Sequence, residues 1–262
     1  MSNAALHVAR TGLDAQNARM RVIANNLANV NTTGFKRSRP QFEDLLYQTV
    51  QGQAVLGGPE AQTIPAIQVG RGTRVSAVMR NHEQGSLEQT GRPLDLAIEG
   101  EGFFQVQLPN GELAYTRAGN FSISDQGTLV TPGGYSVAPG IKVPAEAGEV
   151  SVSRTGIVSV KGADGEDEEI GRLELARFTN PAGLLAMGEN LYSRTAASGE
   201  PVVGMAQEDG LGAIQQGSLE GSNVEIVTEM VDMITSMRAY EINSKAIKNA
   251  EEMMTVATQM VR

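Results

Sequence analysis

The sequence predicts an α+β protein: long N- and C-terminal helices forming a coiled-coil-like terminal domain, with a central antiparallel β domain built as a sandwich or open barrel. Three observations predict it. Apolar residues recur every seven positions at both ends of the chain, the spacing of a helix-packing seam. The middle switches to period-two alternation punctuated by Gly, Pro, Asn and Asp, the mark of short strands joined by hairpins. Nearly all of the 30 glycines and 10 prolines in the 262 residues fall in that middle region.

The first helix carries Leu6, Leu13, Met20 and Leu27 in one row, and Ala9, Gln16, Ile23 and Val30 three residues later. Gln16 is the one polar break in this seam. The helix ends in NNLANVNTTGFK, which places Asn25, Asn26, Asn29 and Asn31 within twelve residues. Asparagine suits a helix interior poorly, because its amide competes with the backbone for hydrogen bonds. Four amides exceed what a helix stop requires, although fraying into a turn would account for some of them.

The next stretch, residues 48–72, is too apolar for a solvated linker and too rich in glycine and proline for a helix. With Gly57, Gly58, Pro59 and Pro65 it reads as an unpatterned part of an extended connecting segment, residues 35–75. The β domain follows over residues 76–221. FFQVQL and ELAYTR flank a turn at Pro109-Asn110-Gly111, and NFSIS and TLVT flank Asp125-Gln126-Gly127. Pro132-Gly133-Gly134 turns the chain again, Val150 and Val152 pair across residues 154–156 with Ile157 and Val160, and GRLELARF supplies a further strand.

The last helix repeats Ile226, Met233, Tyr240, Ile247, Met254 and Val261 every seven residues, with Met230, Met237, Ser244, Glu251 and Thr258 as a companion row. Ser222 and Glu225 form a capping box that would start it. At roughly 38 residues, ~57 Å, it is too long for a compact chain of this size to bury. Its six methionines between residues 230 and 260 suit an adaptable contact surface. Packing between subunits is therefore favoured over a purely intramolecular antiparallel pair. Residues 1–34 and 222–262 together make the terminal helical domain.

Composition narrows the chemistry. Cysteine is absent and only His7 and His82 are available, so thiolate and histidine-rich metal sites are excluded. GEGFFQ lacks the third glycine and the helix of a dinucleotide fingerprint, and DGEDEE at residues 164–169 lacks the glycine of a calcium loop. No serine sits in a nucleophile elbow. No catalytic residue, cofactor or metal is expected, and the chain reads as a non-enzyme. No apolar run is long enough for a membrane span, and the N-terminus lacks a signal-peptide core.

Charge is unevenly spread. Residues 1–40 hold six basic residues and one acid, residues 41–221 eleven and twenty-three, and residues 222–262 four and six, for a net −9. Nucleic acid is not expected as a partner, since the one basic segment also carries the seam and few aromatics accompany it. That segment suits either a solvated helix face or the acidic surface of a neighbouring chain. Lys36, Arg37 and Arg39 are expected to dock on such a surface, in a salt-sensitive way.

NNLANVNTTGFKR, GEGFFQV, YTRAGNF, LVTPGGY and SNVEIVTEMVDMITSMRAYEINSKAI closely resemble, in that order, the bacterial flagellar rod and hook family. The length and the stretch TIPAIQVGRGTRVSAVMRNHEQGSLEQT place the chain nearer the rod than the hook. The resemblance implies a helical homopolymer, a hollow drive shaft that transmits torque, with the terminal helices as its inner tube. It implies proximal rod proteins, the hook protein and the P- and L-ring proteins as partners. It also implies a periplasm-spanning position in the basal body and export through the flagellar type III apparatus without a cleaved signal. The polymerisation interface would comprise Leu6, Leu13, Met20, Ile23, Asn25, Asn26, Leu27, Asn29, Asn31 and Phe35, with Ile226, Met233, Tyr240, Asn243, Ile247 and Met254. The amides would be satisfied by neighbouring backbones, and residues 48–72 would order between subunits. The alternatives are a hook or proximal-rod paralogue and, in a different class, a secreted β-domain enzyme or glycan-binding module.

Overall fold

The computed structural model of the protein describes residues 2–51, 54–56, 62–64, 66–144, 150–162 and 167–260. The chain forms two compact units and crosses between them four times. One unit holds residues 1–27, 38–79 and 226–262, and the other holds residues 28–37 and 80–225.

The first unit contains both expected helices, α1 (Ser2–Ala28) and α2 (Ile226–Met260). They run antiparallel. Gly12 of α1 faces Asn243, whose side chain lies 3.0 Å from where a Cβ would stand. Further along, Arg19 pairs with Asp232 at 2.9 Å and Asn26 reaches Glu229. Of one expected row of α2, Met233, Ile247 and Met254 are half-buried, whereas Ile226 and Tyr240 are exposed. The companion row differs. Met230 and Met237 are 52% and 48% exposed, whereas Glu229 and Ser236 are fully buried and Asn243 and Ala250 half-buried, one residue earlier in each repeat. Small and polar groups on α1 select that polar row, since a methionine could not occupy the space above Gly12 or bond to Asn26. Residue Val261 of the expected seam lies outside the described residues. The capping box is also displaced: α2 begins at Ile226, and the Ser222 hydroxyl accepts from the Val224 amide.

The connecting stretch is not an unpatterned loop. Ser38–Asp44 pairs with Thr73–Arg80, Tyr47–Gln51 with Ile67–Gly70, and Ala54–Leu56 with Gln62–Ile64, nested as one long hairpin. It escaped the period-two signal because neither face of the ribbon has a core to meet. Leu46 is 86% exposed and Val50 66%. Glu43 accepts from Arg74 and Ser76 at its base. Residues Gly57, Gly58, Pro59 and Pro65 lie outside the described residues, as do residues 164–166 of the acidic turn.

The second unit is the expected antiparallel β domain, and its hairpins fall where the turn residues placed them. Phe103–Gln107 pairs with Leu113–Thr116, Ser122–Ile123 with Leu129–Val130, and Val150–Val152 with Ile157–Lys161. The first two hairpins belong to a nine-stranded sheet. Its central strand, Phe103–Gln107, is buried on both faces. Phe104 and Val106 join the main core with Ile98, Leu175 and Ile214, while Phe103 joins Tyr115, Phe178 and Tyr192 on the opposite face. GRLELARF is two strands rather than one. Residues up to Arg172 pair in a three-stranded sheet, and Glu174–Arg177 pairs in the large one.

Gly34 closes the turn that carries the chain into this unit. Its φ is +68°, and a Cβ would stand 2.6 Å from the Ala118 backbone nitrogen, so an L side chain meets both backbone strain and a clash. We expect Gly34→Ala to destabilise the β unit by at least about 2 kcal/mol, measured by denaturant unfolding followed in the near-ultraviolet tyrosine signal.

Candidate functional site

Two buried polar anchors define how the chain ends are held. The first lies in the helical unit. Asn26 is 1% exposed and uses both ends of its amide. Its Oδ1 accepts from the Ser38 amide at 2.9 Å, and its Nδ2 donates to the Ser38 carbonyl at 2.9 Å and to Glu229 Oε2 at 3.1 Å. The Asn26 amide is therefore satisfied within its own chain. This arrangement spares the Ser38 backbone and the Glu229 carboxylate the desolvation cost of going unpaired.

The second anchor lies in the β unit. Lys36 is completely buried, with Nζ 2.6 Å from Glu220 Oε1 and 2.6 Å from the Glu83 carbonyl. Glu220, equally buried, also accepts from the Gly85 amide at 2.9 Å and from Arg117 Nη1 at 3.3 Å. Arg117 donates through Nη2 to the Gly100 carbonyl at 2.8 Å and lies over the Phe103 ring. Gly34, just before Lys36, donates its amide to the Glu220 carbonyl. Lys36 is thus not available to a neighbouring chain, which removes it from the expected basic docking cluster, while Arg39 is exposed. Burial lowers the Lys36 pKa, opposed by Glu220. Beside this cluster, burial and the charges of Lys36, Arg117 and Arg80 hold His82 down to about 4, so its imidazole is neutral at pH 7.

The expected interface residues separate into three groups. Ile23 and Asn26 are buried within the helical unit. Leu6, Leu13, Met20, Leu27, Met233, Asn243, Ile247 and Met254 are half-buried there. Asn25, Asn31, Ile226 and Tyr240 are exposed. In the β unit Asn29 and Phe35 are half-buried, each in a turn with Thr32, whose hydroxyl donates to Asn29 Oδ1 and whose carbonyl accepts from Phe35. Sequence reasoning missed Glu229, Arg117 and Glu220. Arg117 and Lys36 do sit inside the quoted motifs YTRAGNF and GFKR, where a charge between apolar residues was a usable signal. Glu220 and Glu229 had none, because a lone glutamate in an acidic chain is ordinarily solvated.

Among the described residues, no group of three His, Asp or Glu could hold a metal, and no helix is long and apolar enough to cross a membrane. The arrangement braces chain segments and exposes apolar surface.

Comparison with known proteins agrees with that character. Residues 6–36 match the family model "Flagella basal body rod protein". Residues 97–160 match "Flagellar hook protein FlgE/F/G D1 domain", and residues 215–260 "Flagellar basal body rod FlgEFG protein C-terminal". Flagellar basal-body rod protein FlgG of Agrobacterium fabrum is 45% identical over 260 residues, 98% of this chain and 99% of its own length. FlgG of Buchnera aphidicola subsp. Baizongia pistaciae is 49% identical over 95% of this chain and 96% of its own. FlgF of Caulobacter vibrioides is 37% identical over 91% and 89% respectively.

Two outcomes follow from the buried cluster. Glu220→Gln leaves two buried cations without their carboxylate, and we expect it to cost about 3–5 kcal/mol in denaturant melts. That loss should change little between low and high salt, since buried pairs are weakly screened. For His82 the folded pKa of about 4 lies below the ordinary 6.5. The unfolded chain therefore binds a proton first as pH falls, and stability declines from pH 6.5 down through about 4. His82→Phe should remove up to about 3 kcal/mol of that acid-side decline relative to the unsubstituted protein, in melts across this range.

Proposed function

The chain belongs to the flagellar basal-body rod protein family, and from that premise we propose that its terminal helices pack against those of further copies to build a hollow helical shaft. It is a structural subunit of the bacterial flagellar distal rod and not an enzyme. The hook and proximal-rod alternatives are not favoured, because FlgG relatives match the chain from end to end. The reading of a secreted enzyme or glycan-binding module falls with family membership.

The observation that carries self-assembly is the outer face of α2. Over its first turns the helix presents the polar residues Glu229, Asp232 and Ser236 toward α1 and leaves apolar residues outward. Val227 is 69% exposed, Val231 57%, Ile234 50% and Ile242 66%. A row of large apolar residues left in water marks a contact surface. Further copies of the same helix pair would supply the covering surface.

On this reading residues 1–34 and 222–262 form the polymerisation domain, residues 35–75 connect, and residues 76–221 form the outer β layer. Asn31, Ile226 and Tyr240 face outward toward neighbours, while Ile23 and Asn26 contribute by fixing how α1 and α2 pair. Residues 48–72, among which Val50, Ile67 and Val69 are exposed, would be ordered against adjoining subunits and would stiffen the shaft. The rod would span the periplasm, meeting proximal rod proteins below, the hook protein above and the P- and L-ring proteins around it. Export through the flagellar type III apparatus would deliver the subunits.

The test is electron microscopy of concentrated protein, which should show tubes. Val231→Asp and Ile242→Asp place a charge that is hydrated in the monomer but desolvated in the polymer. We expect each to raise the critical concentration roughly a hundredfold while leaving monomer melts unchanged. Normal tubes from both variants would refute the assignment of this face.

A further inference from the structure

The β unit carries a groove of about 560 Å³ that no role has yet absorbed. Arg80, His82, Glu83, Glu101, Arg117 and Arg177 give it its charges, and Gly102, Phe103, Phe178 and Pro181 are among its uncharged walls. We infer that this groove is a docking site for an acidic segment of a second copy of the chain. The inference rests on the self-assembly reading and adds a β-domain contact to the helical one.

Charge balance is the first argument. Three arginines line the groove against two glutamates, in a span, residues 41–221, where acids outnumber bases twenty-three to eleven. The two glutamates offset part of the groove's positive charge and leave one arginine in excess. Glu101 lies 3.8 Å from Arg177, and Glu83 accepts from Asn81 at the rim. Arg177 keeps a side chain 41% exposed, and Arg80 lies over the Tyr192 ring with its centroid 5.6 Å away, so both can meet an incoming carboxylate.

The interior behind the groove is the second argument. Lys36 and Arg117 share the carboxylate of Glu220, so Lys36 and Glu220 cancel and the groove with its floor keeps the one excess positive charge of its arginines. Arg117 Nε and His82 Nδ1 are both buried without a hydrogen-bond partner. A low-dielectric floor with excess positive charge projects an attractive field for an anion. Volume and walls fit two or three side chains of a protein segment. The acidic balance of residues 41–221 means that another copy presents carboxylates over much of its β surface, and charge complementarity of this kind selects partner and register.

The experiment measures the critical concentration for assembly of the full-length protein and of Arg177→Glu, Arg80→Glu and Arg154→Glu. The last makes the same charge change at an exposed residue outside the groove. We expect each groove variant to raise the critical concentration about tenfold and Arg154→Glu to leave it near that of the unsubstituted chain. Monomer melts check that each variant folds, and having two groove positions covers the failure of one. As a local readout, the His82 imidazole is titrated by NMR in dilute and assembled protein. Its pKa should move up from about 4 toward 6.5 when a carboxylate occupies the groove. Assembly of both groove variants at the unsubstituted concentration, with His82 unmoved, would overturn the groove while leaving self-assembly standing. Absence of assembly by the unsubstituted protein would overturn both. A rise in the His82 pKa on adding citrate to dilute monomer, without any effect of the groove variants on assembly, would overturn the second copy as occupant in favour of a free anion.

Discussion

The Glu220 carboxylate is the constraint on which the rest of the β unit depends. It is fully buried and takes hydrogen bonds from Lys36, Arg117 and the Gly85 amide. These groups come from the incoming N-terminal segment, from the strand region at the centre of the large sheet, and from the loop that precedes it. A buried carboxylate is tolerable only when its lone pairs are met. The cluster therefore forces three distant stretches of chain to arrive together, with Gly34 adopting the one turn conformation that lets Lys36 reach. Asn26 performs the matching task in the helical unit, where a single amide satisfies the Ser38 backbone and Glu229 at once. Neither anchor adds much net stability when intact, because desolvation offsets most of the attraction. Each makes alternatives expensive, and so fixes where the chain crosses between its units.

Apolar material is divided unequally between the two units, and the division separates folding from assembly. Phe103, Phe104, Tyr115, Phe121, Phe178 and Tyr192 gather in the β cores, mostly in edge-to-face pairs. Six of the eleven aromatics in the sequence thus serve the cores of one unit. The helical unit receives methionine, valine and isoleucine instead, and leaves many of them in water. Beside Ile23 and a half-buried apolar row, the contacts that set its register are small or polar: Gly12 against Asn243, Arg19 against Asp232, Asn26 against Glu229. Such a seam specifies geometry between α1 and α2 while conserving apolar surface for contact with other chains.

Periodicity and turn chemistry made the broad plan readable. The seven-residue repeats located both helices, and PNG, DQG and RTG located three hairpins, because these signals arise within a few residues of one another. The ribbon of residues 38–79 was not readable. A strand reveals itself by alternation only when one face is buried, and Tyr47, Val50, Ile67 and Val69 are all exposed. The choice between Met230 and Glu229 as the inward row was equally hidden, since hydrophobicity favours methionine and only the identity of the facing residues on α1 reverses it.

By itself the sequence determined the element types, most of the hairpin turns and family membership. Each depends on local spacing or on residue types that are simply present or missing. Tertiary structure alone decided the fate of the individual charges and amides. Lys36 went from an expected surface contact to the most buried cation in the described chain, and Asn26 was separated in role from the exposed Asn25 and Asn31. A charge becomes structural only when a partner meets it inside a low-dielectric space. The partners here, Glu220 and Glu229, lie 184 and 203 residues away, a separation that no local pattern records.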